Sequence, residues 1–218
     1  MLELFPRPRR DIAPGVVHLP DWIDEPGQRR LVRAVREWAA VGPGPRYPRL
    51  PGGAVMSVAS LHLGWHWLPY RYSATRDDQD GSPALQFPRW LADLGVRAVA
   101  EAYGEQAGAA YRPDSAGVNF YRGDARLGMH VDREELVDDP LVSFSLGTAC
   151  VFRLGNTENP GRPYTDIELH SGDLLVFGQQ NRRIYHGVPR LLPKYGNPPI
   201  GTQPGERINV TVRVSGLC

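Results

Sequence analysis

The sequence predicts an α+β chain that is mainly β, with helices ahead of a barrel or jelly roll. Three observations predict it: apolar residues recur at helical spacing twice before Tyr103, an irregular aromatic segment lies between those two stretches, and the texture after Tyr103 changes to short β-type runs. Residues 1–20 read as an extended, Pro- and Arg-rich lead-in that ends in a short strand candidate, Gly15-Val16-Val17-His18-Leu19. A helix is expected from Asp24-Glu25-Pro26, where a carboxylate stands near the N-cap and proline at an early helical position, with Leu31, Val32, Val35 and Trp38 on one face. Gly42-Pro43-Gly44-Pro45 ends it.

Residues 46–87 read as irregular, broken by Pro48, Pro51, Gly52, Gly53, Pro69, Gly81 and Pro83, yet they carry Trp65, Trp67, Tyr70 and Tyr72. So many aromatics on loops suggest a binding surface. A second helix is expected over residues 88–103, with Leu91, Leu94, Ala98, Val99 and Ala102 at helical spacing. Strands are then expected over residues 116–121, 141–146, 149–154, 167–170, 173–177 and 208–214, divided by Gly, Pro and Asp.

With 218 residues, 41% of them hydrophobic, the chain is long enough for one domain with a sizeable core. No apolar run approaches a membrane span, and Met1-Leu2-Glu3-Leu4-Phe5-Pro6 is too short and interrupted for a secretory leader. Cys150 and Cys218 do not look like a disulfide framework, so a reducing cytoplasm is expected; without an apolar span no membrane partner is expected, and monomer is the default for a chain of this size. The net charge of +1 demands no polyanionic partner. Yet all but Lys194 of the 25 basic residues are arginine, the side chain that forks onto phosphate and carboxylate.

Chemistry concentrates at His130-Val131-Asp132, at His186, and at Arg207-Ile208-Asn209-Val210-Thr211-Val212-Arg213. Two imidazoles and a carboxylate form the facial set that holds Fe(II) with open positions. His130 and Asp132, two apart on an extended segment, project to one side. Six histidines in the chain make such a triplet common by chance, and zinc hydrolases use similar ligands, so the triad alone decides little. The last strand discriminates. Alternation puts Arg207, Asn209, Thr211 and Arg213 on one face and Ile208, Val210 and Val212 on the other. Four inward polar side chains are intolerable in a plain core and reasonable around a bound dianion. Asn119 and Tyr121 share one face of an earlier strand and would complete that pocket. A 2-oxoglutarate oxygenase needs this arrangement, one carboxylate at iron and the other held remotely.

The runs Asn119-Phe120-Tyr121, His130-Val131-Asp132-Arg133-Glu134-Glu135, Ser143-Phe144-Ser145-Leu146-Gly147, Tyr185-His186-Gly187 and Arg207 through Arg213 resemble the AlkB family of DNA dealkylation dioxygenases. Upstream, Met56-Ser57-Val58-Ala59 and Leu63-Gly64-Trp65 resemble the nucleotide-recognition region of its bacterial members, so the similarity runs from about residue 15 to 214. The resemblance implies a double-stranded β-helix core over 111–218, preceded over 1–110 by an N-terminal extension, two helices and a nucleotide-recognition lid, all one functional unit. It implies Fe(II) on His130, Asp132 and His186, and 2-oxoglutarate on Asn119, Tyr121, Arg207, Asn209 and Arg213, with O2 as the second cosubstrate. Trp65, Tyr70, Tyr72 and Glu134 match positions that contact substrate, and Arg162 is the nearest candidate for a base-contacting arginine.

The activity so implied is oxidative demethylation of N1-methyladenine and N3-methylcytosine in alkylated, mainly single-stranded DNA, with release of formaldehyde, succinate and CO2. RNA, a protein side chain or a small molecule are the alternative substrates, and a non-catalytic jelly-roll binder is the alternative class. This chain departs from the bacterial pattern in a shorter loop between Trp65 and Tyr70 and in Glu134, one methylene longer than the usual aspartate. Both departures bear on substrate preference.

Overall fold

A computed structural model describes residues 7–217, so Met1 to Pro6 and Cys218 lie outside the described residues. In chain order the elements are β1 (Arg10–Ala13), β2 (Val16–Leu19), α1 (Glu25–Ala39), β3 (Ala59–Leu63), β4 (His66–Leu68), β5 (Arg71–Ser73), α2 (Arg89–Tyr103), α3 (Glu105–Ala110) and β6 (Ser115–Tyr121). They continue as β7 (Leu127–His130), β8 (Leu141–Gly147), β9 (Ala149–Leu154), β10 (Thr165–Leu169), β11 (Leu174–Phe177), β12 (His186–Leu192) and β13 (Arg207–Arg213). A larger antiparallel sheet runs β1-β2-β11-β8-β13-β6-β3, a smaller one β10-β9-β12-β7, and β4-β5 form a separate hairpin.

The two sheets face each other as a jelly roll, and alternation along each strand assigns its side chains to one of two cores. Leu174, Val176, Ile208, Val210 and Val212 point outward, where Leu31, Val32 and Val35 of α1 and Leu91, Ala98 and Val99 of α2 cover them. Leu175, Phe177 and Tyr121 point inward and meet Phe152, Leu154, Ile167, Leu169 and Val188 of the smaller sheet. Each such buried aliphatic or aromatic side chain contributes about 1.5–3 kcal/mol. The inward face of β13 is therefore its polar face, and β13 is held on both edges, by β6 and by β8.

Helix α1 starts where the sequence places it: Asp24 is the N-cap and its Oδ1 accepts from the Gly27 amide at 2.9 Å. Gly95 lets α2 lie close on the sheet, because a Cβ there would stand 3.1 Å from Val212 Cγ1. The segment expected to be irregular is a correction: it contains β3 at the edge of the larger sheet and the β4-β5 hairpin. Ala59-Ser60-Leu61-His62-Leu63 lacks the β-branched residues that mark a strand, and flanking Gly and Pro conceal it. Strands β7 and β12 are concealed for related reasons. Gly128 weakens the first, and Pro189 sits in the second where its pairing with β9 shifts register, between Gly187 and Arg190.

Candidate metal and cosubstrate site

His130 ends β7 and His186 begins β12, and these strands pair with His130 opposite His186. Their rings lie on one face with centroids 4.4 Å apart. Gly187 permits this approach, since a Cβ there would stand 2.7 Å from the Leu127 carbonyl oxygen. Asp132 follows in the loop after β7, with Oδ1 3.6 Å from His130 Nε2. One ligand atom from each of the three side chains lies within 4.8 Å of the others.

Hydrogen bonds set the tautomers. Nδ1–H of His130 donates to the Gly128 carbonyl at 2.9 Å and Nδ1–H of His186 to the Ile184 carbonyl at 3.0 Å, which leaves both Nε2 lone pairs for a metal. Burial, together with the neighbouring His130, pushes the His186 imidazole down to about 4, which favours the neutral form that a metal requires. Burial works to raise the Asp132 carboxyl, but Arg213, His186 and His130 outweigh it and hold the group below the ordinary carboxylate range. Two neutral imidazoles and one carboxylate fit Fe(II), with coordination positions left for cosubstrates.

On β13 the inward residues divide between two ends. Arg213 Nη2 donates to Asp132 Oδ2 at 2.8 Å. Arg207, six residues away and so roughly 20 Å along an extended strand, is 1% exposed. Its Nη2 donates to Ser145 Oγ at 3.1 Å, while Nε and Nη1 are buried with no hydrogen-bond partner among the described residues. A buried guanidinium in that condition is costly alone and well matched to a carboxylate. That is the fit of these residues to 2-oxoglutarate. Asn209 lies between, its Nδ2 donating to Ser143 Oγ at 2.7 Å and to the Phe144 carbonyl at 3.1 Å, its Oδ1 accepting from Thr211. The pairings Asn209 with Asn119 and Arg207 with Tyr121 across β13 and β6 put these four expected cosubstrate residues on one face of the larger sheet, the face that Arg213 shares farther along β13.

Of the residues expected at the substrate, Tyr72 reaches the site: its hydroxyl donates to Glu135 Oε1 at 2.6 Å and lies 3.5 Å from Arg213 Nη1. Glu134 is half-buried beside Asp132, and its Oε2 accepts from the Arg133 amide. Burial, with Asp132 adding to it, raises its carboxyl. Tyr70 is 69% exposed at the tip of the hairpin, Trp65 is half-buried in the bend before β4, and Arg162 is exposed on the loop between β9 and β10. No hydrogen bond, ion pair or ring contact joins these three to the metal cluster among the described residues.

Sequence reasoning gave no role to Glu135 or Arg182, and it included Trp67 in the aromatic surface without placing it among the substrate residues. Glu135 is wholly buried against Arg182, 47 residues away, with Oε2 accepting from Nη2 at 2.9 Å. Trp67 is the cross-strand partner of Tyr72 on the hairpin, with its ring 6.0 Å from His62. A signal for Trp67 existed in the alternation of Trp65, Trp67 and the later Tyr pair. No local signal could have found an ion pair between two distant loops.

A family model described as the 2OG-Fe(II) oxygenase superfamily matches residues 15–213. The alpha-ketoglutarate-dependent dioxygenase AlkB homolog of Caulobacter vibrioides is 36% identical over 97% of this chain and 92% of its own length. The alpha-ketoglutarate-dependent dioxygenase AlkB of Escherichia coli K12 is 32% identical over 99% of each. The solved structure of OsALKBH1 aligns with a TM-score of 0.84 at 28% identity, covering 95% of this chain and 100% of that one. With the triad and the arginine strand in place, the chain belongs to the 2OG-Fe(II) oxygenase superfamily and, within it, to the AlkB family: it is an Fe(II)- and 2-oxoglutarate-dependent dioxygenase.

Proposed function

We propose that this dioxygenase demethylates N1-methyladenine and N3-methylcytosine in DNA, mainly in single strands, releasing formaldehyde, succinate and CO2. One observation carries the reading: beside the metal cluster stand a half-buried carboxylate, Glu134, which feels the charge of Asp132, and Tyr72, the cross-strand partner of Trp67, whose hydroxyl reaches Glu135 and Arg213. Both target bases are cationic at the methylated ring, and a carboxylate with π-faces is the environment that holds such a cation. The methyl group lies on the pairing edge, so the base must enter unpaired or flipped from its stack.

When bound, Fe(II) with 2-oxoglutarate and O2 supplies oxidation of the alkyl carbon, and the hydroxymethyl product loses formaldehyde. The chain's own residues position the participants. His130, Asp132 and His186 would hold the metal, Arg207 with Tyr121 the remote carboxylate of the cosubstrate, and Arg213 with Asn119 and Asn209 the surroundings of its other end. The β4-β5 hairpin would act as the nucleotide-recognition lid. Trp65 and Tyr70 add stacking faces for flanking bases and Arg162 a cation for the strand.

The deciding measurement is formaldehyde release from an N1-methyladenine oligonucleotide supplied with Fe(II), ascorbate and 2-oxoglutarate. Product is expected in step with succinate. Succinate without formaldehyde, on protein shown to carry metal, would leave an AlkB-family oxygenase with another substrate.

A further inference from the structure

The hairpin and the metal carboxylate are joined through Glu135, a buried side chain that the oxidation itself does not use. Glu135 accepts from the Tyr72 hydroxyl at Oε1, 2.6 Å, and from Arg182 Nη2 at Oε2, 2.9 Å. Arg182 and Arg183 both donate to the backbone carbonyl of Asp132, at 3.2 and 3.0 Å. Arg213 stands between two carboxylates. Its Nη2 is bonded to Asp132, while its Nε is 3.5 Å from Glu135 Oε1 and has no hydrogen-bond partner among the described residues.

Tyr72 therefore resolves a competition. Its hydroxyl, kept protonated by burial, satisfies the Glu135 oxygen that Arg213 would otherwise take, and Arg213 is left committed to Asp132. Without that hydroxyl a buried carboxylate oxygen is left short of a donor, and the nearest remedy is a shift of Arg213 by less than 1 Å in hydrogen-bond length, roughly from 3.5 Å toward 2.9 Å. Oδ2 of Asp132 then loses its fixed partner, and the carboxylate is free to turn.

We propose that the Tyr72 hydroxyl is a positioning group for the metal ligand Asp132, so that seating of the β4-β5 hairpin and orientation of the metal carboxylate are coupled through Glu135 and Arg213. The inference rests on the metal centre and not on the identity of the substrate.

The test needs no nucleic acid. Mn(II) is titrated into metal-free protein, with the electron paramagnetic resonance of free Mn(II) as readout, for the wild type, Tyr72→Phe, Glu135→Gln and Tyr103→Phe. Tyr103 donates to the Gly15 carbonyl at 2.7 Å away from the site, so its variant reports the loss of a hydroxyl alone. Tyr72→Phe is expected to weaken Mn(II) binding about tenfold, as losses behind a metal ligand do, and to alter the d–d spectrum of the Co(II) form, with Tyr103→Phe unchanged. Glu135→Gln is expected to weaken binding at least as much. Wild-type Mn(II) affinity and an unaltered Co(II) spectrum in Tyr72→Phe would overturn the proposal, as would equal weakening in both tyrosine variants. Failure of demethylation with intact Mn(II) behaviour would count against the proposed substrate and leave this coupling standing.

Discussion

The two arginines of β13 have the same side chain, the same strand face and opposite circumstances. Arg213 is surrounded by partners, with Asp132 at 2.8 Å and Glu135 at 3.5 Å, near the end that opens at the 35%-exposed His130 side chain. Arg207 is sealed in over the Tyr121 ring, with one hydrogen bond, to Ser145, and two nitrogens unanswered among the described residues. A guanidinium that already has a carboxylate helps to hold the scaffold, and one that lacks it is suited to receive one. The difference supports the proposed roles, with Arg207 as the receptor for the cosubstrate's remote carboxylate and Arg213, beside the cosubstrate's other end, also holding the metal ligand Asp132.

The sharpest way to break that division is Arg207→Met. Loss of a buried bidentate contact should weaken 2-oxoglutarate binding by roughly a hundredfold or more, while the metal site keeps its affinity. In the absence of 2-oxoglutarate the variant should unfold no more easily than the wild type, because an apolar chain replaces a poorly satisfied buried charge. A large loss of apo stability, measured by urea denaturation, would mean that Arg207 is a structural cation and that the pocket lies elsewhere.

Arg213→Met should give the complementary pattern. Metal affinity falls by about tenfold to a hundredfold, and apo stability falls as well, since Asp132 and Glu135 are left as buried carboxylates facing each other across a lost cation. If metal affinity were instead unchanged and only 2-oxoglutarate binding lost, both arginines would be receptors and the contrast would vanish.

A buried carboxylate at the turn before β11 sharpens the comparison from the structural side. Asp173 accepts from His18, Arg7 and the His170 amide, and although burial opposes its charge, these partners hold its carboxyl down to about 2. A carboxylate depressed from 3.8 stabilises the fold at neutral pH by about 2 kcal/mol. That contribution is complete above the unfolded value and is lost as pH falls through the folded one. Asp173→Asn should therefore cost about 2 kcal/mol at pH 7, with the gap from wild type closing between about pH 4 and pH 2. Cosubstrate and metal affinities should not move. A variant that binds 2-oxoglutarate poorly would show that Asp173 acts on the site as well as on the fold.

Helices α1 and α2 and the strands from β8 through β11 were legible because their patterns are local: caps, a 3.6-residue period, runs of β-branched and aromatic residues. The polar face of β13 was legible for the same reason, since alternation is a property of seven consecutive residues. What stayed hidden is made across long separations. Strand β3 owes its place to pairing with β6, not to its own composition. Glu135 and Arg182 become one unit only when two loops meet. The hairpin shows the intermediate case: its aromatics announced a binding surface, but only the pairing of Trp67 with Tyr72 says which of them share a face. Tyr70, by contrast, takes a positive φ of 68° at the hairpin tip and stands in solvent.

The smallest expected effect falls at the rim, where Glu134→Gln keeps shape and removes charge. Glu134 is bonded to backbone amides, that of Arg133 among them, and no hydrogen bond ties it to Arg213 among the described residues, so metal and 2-oxoglutarate binding should stay at wild-type values. If the carboxylate holds a cationic base, kcat/KM for N1-methyladenine DNA should fall by about tenfold, the worth of one charge-assisted contact. An adduct that is neutral at the same ring should lose much less. The ratio of the two is the diagnostic quantity, since a purely structural Glu134 lowers both alike. Glu134→Asp sharpens it further: withdrawing the carboxylate by one methylene should leave the preference for the cation in place and change only its strength. Equal losses on charged and neutral substrates in both variants would take Glu134 out of base recognition and leave the aromatic hairpin to carry it.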